Sequence, residues 1–482
     1  MSIILPLLSA SRTGMADHAK YAGRRPRPPA PTPRARIPGP IAFFRVLRRS
    51  AIEGLALDHY EKPIVFTRTV LGPVLVVCSP TALRHVLVTN AANYPRETLQ
   101  RRMISDGLGF GLLAAEGEQW RNQRKVLAPH FTPERIAGLE KVTAKVVGRF
   151  VERWDSLGDD ATVRLNDEVC DLAIDVLEAA LFPDGLSGKA AIMPALKSYF
   201  RKAGRLSALD AFALPERIPR IPAFLARRSV ATLRRLGEGT VDAWRKHAGR
   251  TARAGILDGM AAEGRAKPFT PIETRDIVTT FMAAGTETSA GAMCWAFYLL
   301  SLDPEWRTRL EDEVDREMPD GIYVEGSLMR LPVTRAVVEE TLRLYPTVAV
   351  TARKAIAADT IDGRAVTPGT IIVISPWLIH RHRKLWAEPD LFDPGRFMPG
   401  AREKIDRFAF LPFGAGPRIC VGQGFAMQEM IIAVASIARR FLIEPAPGFD
   451  IWPELTVTLQ PSGDLPVVLR RRARMAPGDG SN

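Results

Sequence analysis

The spacing of apolar and polar positions changes several times along this chain. Residues 64–78 are rich in β-branched side chains around a central Gly72-Pro73, the pattern of two strands joined as a hairpin. From about residue 81 to 315 the period is mostly helical, broken at Pro129–Pro133, at Pro183–Gly188 and through the proline-spaced stretch Pro215–Pro222. Arg275–Ser301 is the longest helical stretch and is apolar nearly all round, so it is predicted to run through the core. Strand-like pieces return at 348–375 and near 455–470, and Gln423–Arg440 is apolar at helical spacing. No internal repeat and no interior linker divides the chain. The pattern predicts a mainly α protein with a small β region, built as a single large domain.

Composition narrows this little further. With 482 residues, 46% apolar and 25% charged, the chain is globular rather than disordered or fibrous. Its four cysteines, Cys78, Cys170, Cys294 and Cys420, are widely spaced, which excludes a disulfide scaffold and a zinc ribbon and points to a reducing compartment. The net charge of +13 is concentrated at the ends: residues 1–36 hold seven Lys/Arg against one Asp, and Arg470–Arg474 add four more arginines. Eight prolines fall in the first 40 residues, so residues 1–37 are expected to be a flexible arm and 471–482 a flexible basic tail. Such a charge distribution, without interleaved aromatics, does not suggest a nucleic-acid partner. The apolar run Ile3–Leu8 is broken by Pro6 and no stretch reaches spanning length, so a cytoplasmic protein without a transmembrane segment is expected, with Met15 as an alternative start.

The chemistry concentrates in Phe413-Gly414-Ala415-Gly416-Pro417-Arg418-Ile419-Cys420-Val421-Gly422. Two glycines and a proline form a tight loop that delivers Cys420 to the start of the Gln423–Arg440 helix. Unpaired N–H groups and the macrodipole there favour a thiolate, which is either a nucleophile or a metal ligand. A dinucleotide fingerprint fails because its third glycine would fall at Ile419. A cysteine nucleophile needs a positioned histidine that the sequence does not suggest. A structural cysteine after a glycine turn stands as the third alternative.

The spacing Phe413-x-x-Gly416-x-Arg418-x-Cys420-x-Gly422 resembles the heme-binding loop of the cytochrome P450 family. Glu340-Thr-Leu-Arg343 and the loop arginine of Phe392-Asp-Pro394-Gly-Arg396-Phe397 are similar to that family's buried Glu–Arg–Arg set, in the same order. Ala284-Gly285-Thr286-Glu287-Thr288 resembles its oxygen-activation signature, in which the small residues leave room beside the helix. The plain reading of that stretch is a close helix contact with Thr288 bonded back to its own helix. Trp120-x-x-x-Arg124 resembles the helix that holds a heme propionate, and Arg353 and Arg418 match further propionate donors, with Arg101 and Arg102 as additional candidates. The resemblance covers residues 38–470. The glutamate before Thr288 and the Gly111–Trp120 block look closer to the fatty-acid-hydroxylase and microsomal-like branches.

The resemblance implies a heme b cofactor with Cys420 as the metal ligand, packed near Phe413, Ala284 and Gly285. It implies a monooxygenase in which Thr288 and Glu287 deliver protons while O2 reacts. The chain spends itself on one domain, so electrons are expected from a separate ferredoxin or flavodoxin. That donor would dock on a basic patch made by Arg121, Lys125, Arg402, Lys404 and Arg407. The substrate is expected to be a lipophilic small molecule in an apolar pocket lined from residues 99–113, 200–224 and 347–351, with Arg101, Arg102 or Arg205 anchoring any carboxylate. A monomer is expected. A peroxide-driven oxidase or isomerase, and a non-catalytic heme sensor, are the alternatives.

Overall fold

The computed structural model describes residues 26–37, 39, 46, 50–69, 72–204, 220–247, 255–261 and 268–472. The helices that place the site and the cavities are α1 (Thr98–Leu108), α2 (Gly117–Leu127), α3 (Pro133–Ser156), α4 (Leu165–Leu181), α5 (Ile192–Ala203), α6 (Ile221–Leu225), α7 (Arg227–His247), α8 (Pro271–Leu302), α9 (Pro304–Glu317), α10 (Pro332–Leu344) and α11 (Gln423–Arg440). Several start where a polar side chain precedes a proline. Thr132, Thr270 and Asp303 each accept a backbone N–H two or three residues into the first turn, while Pro133, Pro271 and Pro304 fill a position whose N–H has no helical partner. At Thr270 the cap is reciprocal, with Glu273 reaching back to the Thr270 N–H at 3.0 Å.

The predicted hairpin forms as β1 (Ile64–Thr69) against β2 (Gly72–Val77), antiparallel with Ile64 opposite Val77. Strands β4 (Thr351–Lys354) and β7 (Ile371–Ile374) complete a sheet of order β1-β2-β7-β4, in which the β2–β7 pair is parallel. A further sheet was not legible in the helical half of the sequence. Four residues, β3 (Ala161–Arg164), pair with β11 (Pro466–Arg471), which in turn pairs with β8 (Phe441–Pro445). As expected, α8 is buried over most of its length and packs against α4, α7, α10 and α11. Among the described residues no helix is long and apolar enough to cross a membrane.

Both charged ends require correction. The arm expected over 1–37 is packed against the body from residue 26: Pro26, Pro28 and Pro31 are buried. The Pro26 carbonyl accepts the Phe392 N–H, and Pro29 accepts the Tyr345 hydroxyl at 2.8 Å. Proline fixes φ and so reduces the entropy lost when such a strap is laid down, which a composition argument for disorder misses. The tail expected over 471–482 is ordered at its start. Arg470 pairs with Glu444 and Asp160, Arg471 with Asp155, and Arg472 with Asp315. Those arginines are neutralised in place rather than held as a free basic end. Residues 1–25 and 473–482, including Met15, lie outside the described residues.

Candidate active site

The cysteine loop turns on two glycines in the left-handed region, Gly414 at φ +74° and Gly416 at φ +70°. A Cβ on Gly416 would lie 1.8 Å from the Leu87 carbonyl oxygen, so this glycine also lets two backbones meet. The Cys420 N–H donates to the Phe413 carbonyl at 2.9 Å and closes the loop, two residues before α11. Cys78, Cys170 and Cys294 are buried thiols; Cys420 is exposed. Here the sequence argument needs amending. Desolvation by the surrounding loop raises the Cys420 thiol above its ordinary value, and the Gly422 N–H and the Arg124 guanidinium only partly oppose it.

Beside the sulfur the structure gathers guanidinium groups. Arg124 of α2 donates to the Ile419 carbonyl at 2.9 Å. Arg418 lies over the Trp120 ring, 4.0 Å from its centroid, donates to Ala115 O at 2.9 Å and pairs with Glu116. Arg353 is buried, and among the described residues its guanidinium donates to the Thr351 hydroxyl and the Ala352 carbonyl, at 3.2 and 3.1 Å. Arg96 forms an isolated β-bridge to Arg353, and its Nε has no hydrogen-bond partner among the described residues. Burial, and then repulsion from Arg96 and Arg418, presses Arg353 down to about 9; burial lowers Arg418 to about 10. One carboxylate, Glu116, faces this cluster. Such an arrangement fits a ligand that brings carboxylates of its own.

Arg96 and Glu116 were missed from the sequence. No local spacing marks either residue, since their partners in the cluster are distant in the chain. Arg101 and Arg102 do not join this cluster; they line a separate cavity. Arg205 lies outside the described residues.

On α8 the partly exposed positions within an otherwise buried stretch are Ala284, Gly285 and Thr288, one helical face. Gly285 has a second reason to be small. A Cβ there would stand 2.7 Å from Leu177 of α4. Thr288 Oγ donates to the Ala284 carbonyl at 2.6 Å, the plain reading of that spacing. Glu287 points elsewhere: it is buried and hydrogen-bonded by the Thr458 side chain, and burial raises it to about 7 against a weaker downward pull from Thr458 and Lys197. Thr288 and Glu287 are therefore not a contact pair, as expected of adjacent helical residues.

Behind the loop, Glu340 and Arg343 of α10 form a fully buried bidentate pair at 2.6 and 2.8 Å. Arg343 also donates to the carbonyls of His380, Pro389 and Leu391, and Arg396 approaches Glu340 at 3.6 Å. His380 ties this network to the chain leading into the cysteine loop. Its Nδ1 meets the Arg343 carbonyl at 3.1 Å and its Nε2 accepts the Leu411 N–H at 2.8 Å. Burial, with Arg343 nearby, lowers its pKa to about 3 and keeps it neutral.

Cys420 offers one sulfur, and among the described residues no group of three or more His, Cys, Asp or Glu side chains could cage an ion. Metal held here must bring its other ligands with it, together with anionic groups for Arg96, Arg353 and Arg418. The sequence profile described as cytochrome P450 matches residues 57–466. A relative, cytochrome P450 132 of Mycobacterium tuberculosis, is 31% identical over 419 residues, covering 82% of this chain and 87% of that protein. Cyclooctatin synthase of Streptomyces melanosporofaciens is 29% identical over 435 residues, covering 89% and 94%. The crystal structure of a cytochrome P450 (CYP102L1) superposes with a TM-score of 0.78 at 24% identity, covering 92% of this chain and 99% of the other.

Proposed function

We infer the reaction from one premise: this chain belongs to the cytochrome P450 family, oxidoreductases that bind heme b and act as monooxygenases. The finer reading is that it hydroxylates a lipophilic small molecule with electrons from a separate ferredoxin or flavodoxin-type protein. Bound heme supplies the iron at which O2 is reduced and one oxygen atom is passed to the substrate. The residues of this chain do the rest.

Cys420 would hold the iron through its sulfur as a thiolate, the form a coordinating cation favours. Arg96, Arg353 and Arg418 would receive the propionates, and Trp120 would hold Arg418 from below. Phe413 braces the loop through its carbonyl. Ala284 and Gly285 keep the facing helix low. The Thr288 hydroxyl, released from the Ala284 carbonyl, would present a proton at the cleft, and Glu287 would hold the next one near neutral pH on the side facing Thr458 and Lys197. The observation that carries this reading is the desolvated arginine cluster beside Cys420, short of anions.

Exposed Arg121, Lys125, Lys404 and Arg407 support an acidic donor docking beside the cysteine loop. Arg402 is better assigned to structure, paired with Glu339 at 3.2 Å and stacked on Phe397 and Phe410. A monomer in a reducing cytoplasm completes the proposal. The test is NADH-driven turnover of the heme-loaded protein with a ferredoxin system, run beside peroxide alone. Product with the former and not the latter is expected; turnover by peroxide only would favour a peroxide-driven enzyme. Thr288→Ala should lower product formed per NADH severalfold while the reduced protein still binds carbon monoxide. Unchanged coupling would remove Thr288 from proton delivery.

A further inference from the structure

Away from the cysteine loop, a cavity of about 750 Å3 lies between α1, α6, α7 and the start of α8. Its lining among the described residues holds Arg101, Arg102, Arg227, Arg234, Arg235 and Arg275, with Asp106 and Glu238 as acids. The grouping follows from helix geometry. Arg227, Ala231, Arg234 and Glu238 recur every three or four residues on α7, and Arg101 and Arg102 stand one turn before Ser105 and Asp106 on α1. Arg275 is bridged to Glu238 at 3.2 Å and to Asp276 at 2.7 Å. Those bonds engage Glu238, one of the two lining acids, while Arg227, Arg234 and Arg235 line the α7 side. The apolar part of the lining includes Phe110, Val230 and Phe224, with Arg227 over the Phe224 ring at 4.8 Å. Guanidinium forks within a partly apolar concavity are suited to a carboxylate on a hydrocarbon chain. The concave lining favours a small molecule over a macromolecular surface.

We propose that this cavity binds the carboxylate head of an amphiphilic substrate whose chain runs along α8 toward Cys420. Arg275 and Ala284 are nine residues apart on one helix, which is about 13 Å along its axis. At ~1.2 Å per bond a chain of about ten carbons covers that distance. The head-group site stands on the cavity alone; the destination of the chain rests on the monooxygenase reading above.

The experiment titrates heme-loaded protein with dodecanoate, dodecanol and hexanoate, reading the Soret shift to shorter wavelength and, independently, the heat of binding. Dodecanoate should bind at least tenfold more tightly than dodecanol, and hexanoate should give no spectral shift. Arg234→Glu/Arg235→Glu, two exposed positions, should abolish the preference for the acid and leave dodecanol within twofold. Raising salt should weaken dodecanoate alone in the unmodified protein, a readout that needs no variant. Equal affinity for acid and alcohol, or an unchanged preference in the double variant, overturns the proposal. So does a variant that loses only its binding to anionic phosphatidylglycerol vesicles, which would make the arginines a lipid-surface contact. If the protein lacks a thiolate-type carbon monoxide band while heat of dodecanoate binding persists, the monooxygenase reading fails and the anion site stands.

Discussion

Glu429 of α11 is an acid inside an apolar run, buried at 1% exposure; the Ser289 side chain bonds to it, while its Oε1 has no partner among the described residues. Burial raises it to about 8, and Glu287 to about 7, from an ordinary 4.5. The native state then holds protons that the unfolded chain has released, so folding stability falls as pH rises from about 4.5 and levels off above each raised value. Glu429→Gln should therefore gain stability relative to the parent between pH 5 and 8, and Glu287→Gln between pH 5 and 7. At ~1.4 kcal/mol per pKa unit the ceiling on the gain is roughly 5 kcal/mol for Glu429→Gln and roughly 3.5 kcal/mol for Glu287→Gln. Urea unfolding of the heme-loaded proteins across that range measures it; differences independent of pH would show that these carboxyls are not held protonated. At this scale the sequence was legible where a residue sat at fixed spacing from a partner, as Arg418 and Phe413 do from Cys420. Arg96 reaches Arg353 across more than 250 residues, and no local spacing encodes that. Glu287 and Thr288 were legible as a pair but not in their orientation, because 100° of helical rotation separates neighbours and the bend residue Thr458 claims the carboxyl.

The elements followed the apolar period closely where it was long. Helix α11 begins and ends at the residues its spacing predicts, and α8 extends four residues beyond its predicted start because the Thr270–Glu273 capping box carries it back to Pro271. Short strands were another matter. β3 has four residues and an ordinary alternation, and is a strand only because β11 arrives from 300 residues away to pair with it. The cysteine loop gives a prediction proper to an element. Gly414 and Gly416 share a left-handed φ, yet nothing lies within 4 Å of a Cβ at 414, whereas the Leu87 backbone blocks one at 416. Gly414→Ala should cost about 1–2 kcal/mol and keep the thiolate spectrum. Gly416→Ala carries the same strain plus a collision with backbone, and should lower heme occupancy and convert part of the carbon monoxide band to the thiol form. Equal behaviour of the two variants would contradict the contact at Leu87.

Over the whole molecule, charge is arranged differently from its sum. Arg470, Arg471 and Arg472 near the C-terminal end are locked in ion pairs, while further arginines and lysines gather in the cavity between α1 and α7 and on the surface beside the cysteine loop. For that surface, Arg121→Glu/Lys125→Glu should slow electron transfer from an acidic ferredoxin tenfold or more at low salt and flatten its salt dependence, as steering by exposed charge requires. Stopped-flow reduction under carbon monoxide measures it, and an unchanged salt slope would assign these residues to a merely solvated face.

The proline strap at residues 26–36 has a further consequence, in time rather than in space. It leaves the ribosome early, but Tyr345, which Pro29 receives, follows 316 residues later, and Phe392 later still. At ~5–20 residues per second the strap waits roughly 15–60 s for its first partner. Tyr345 directly follows the helix bearing Glu340 and Arg343, so a segment made well before its partners docks late, and it docks where the buried ion pair is being sealed. A nascent chain stalled before residue 345 should accordingly expose residues 26–36 to protease, while the released protein protects them.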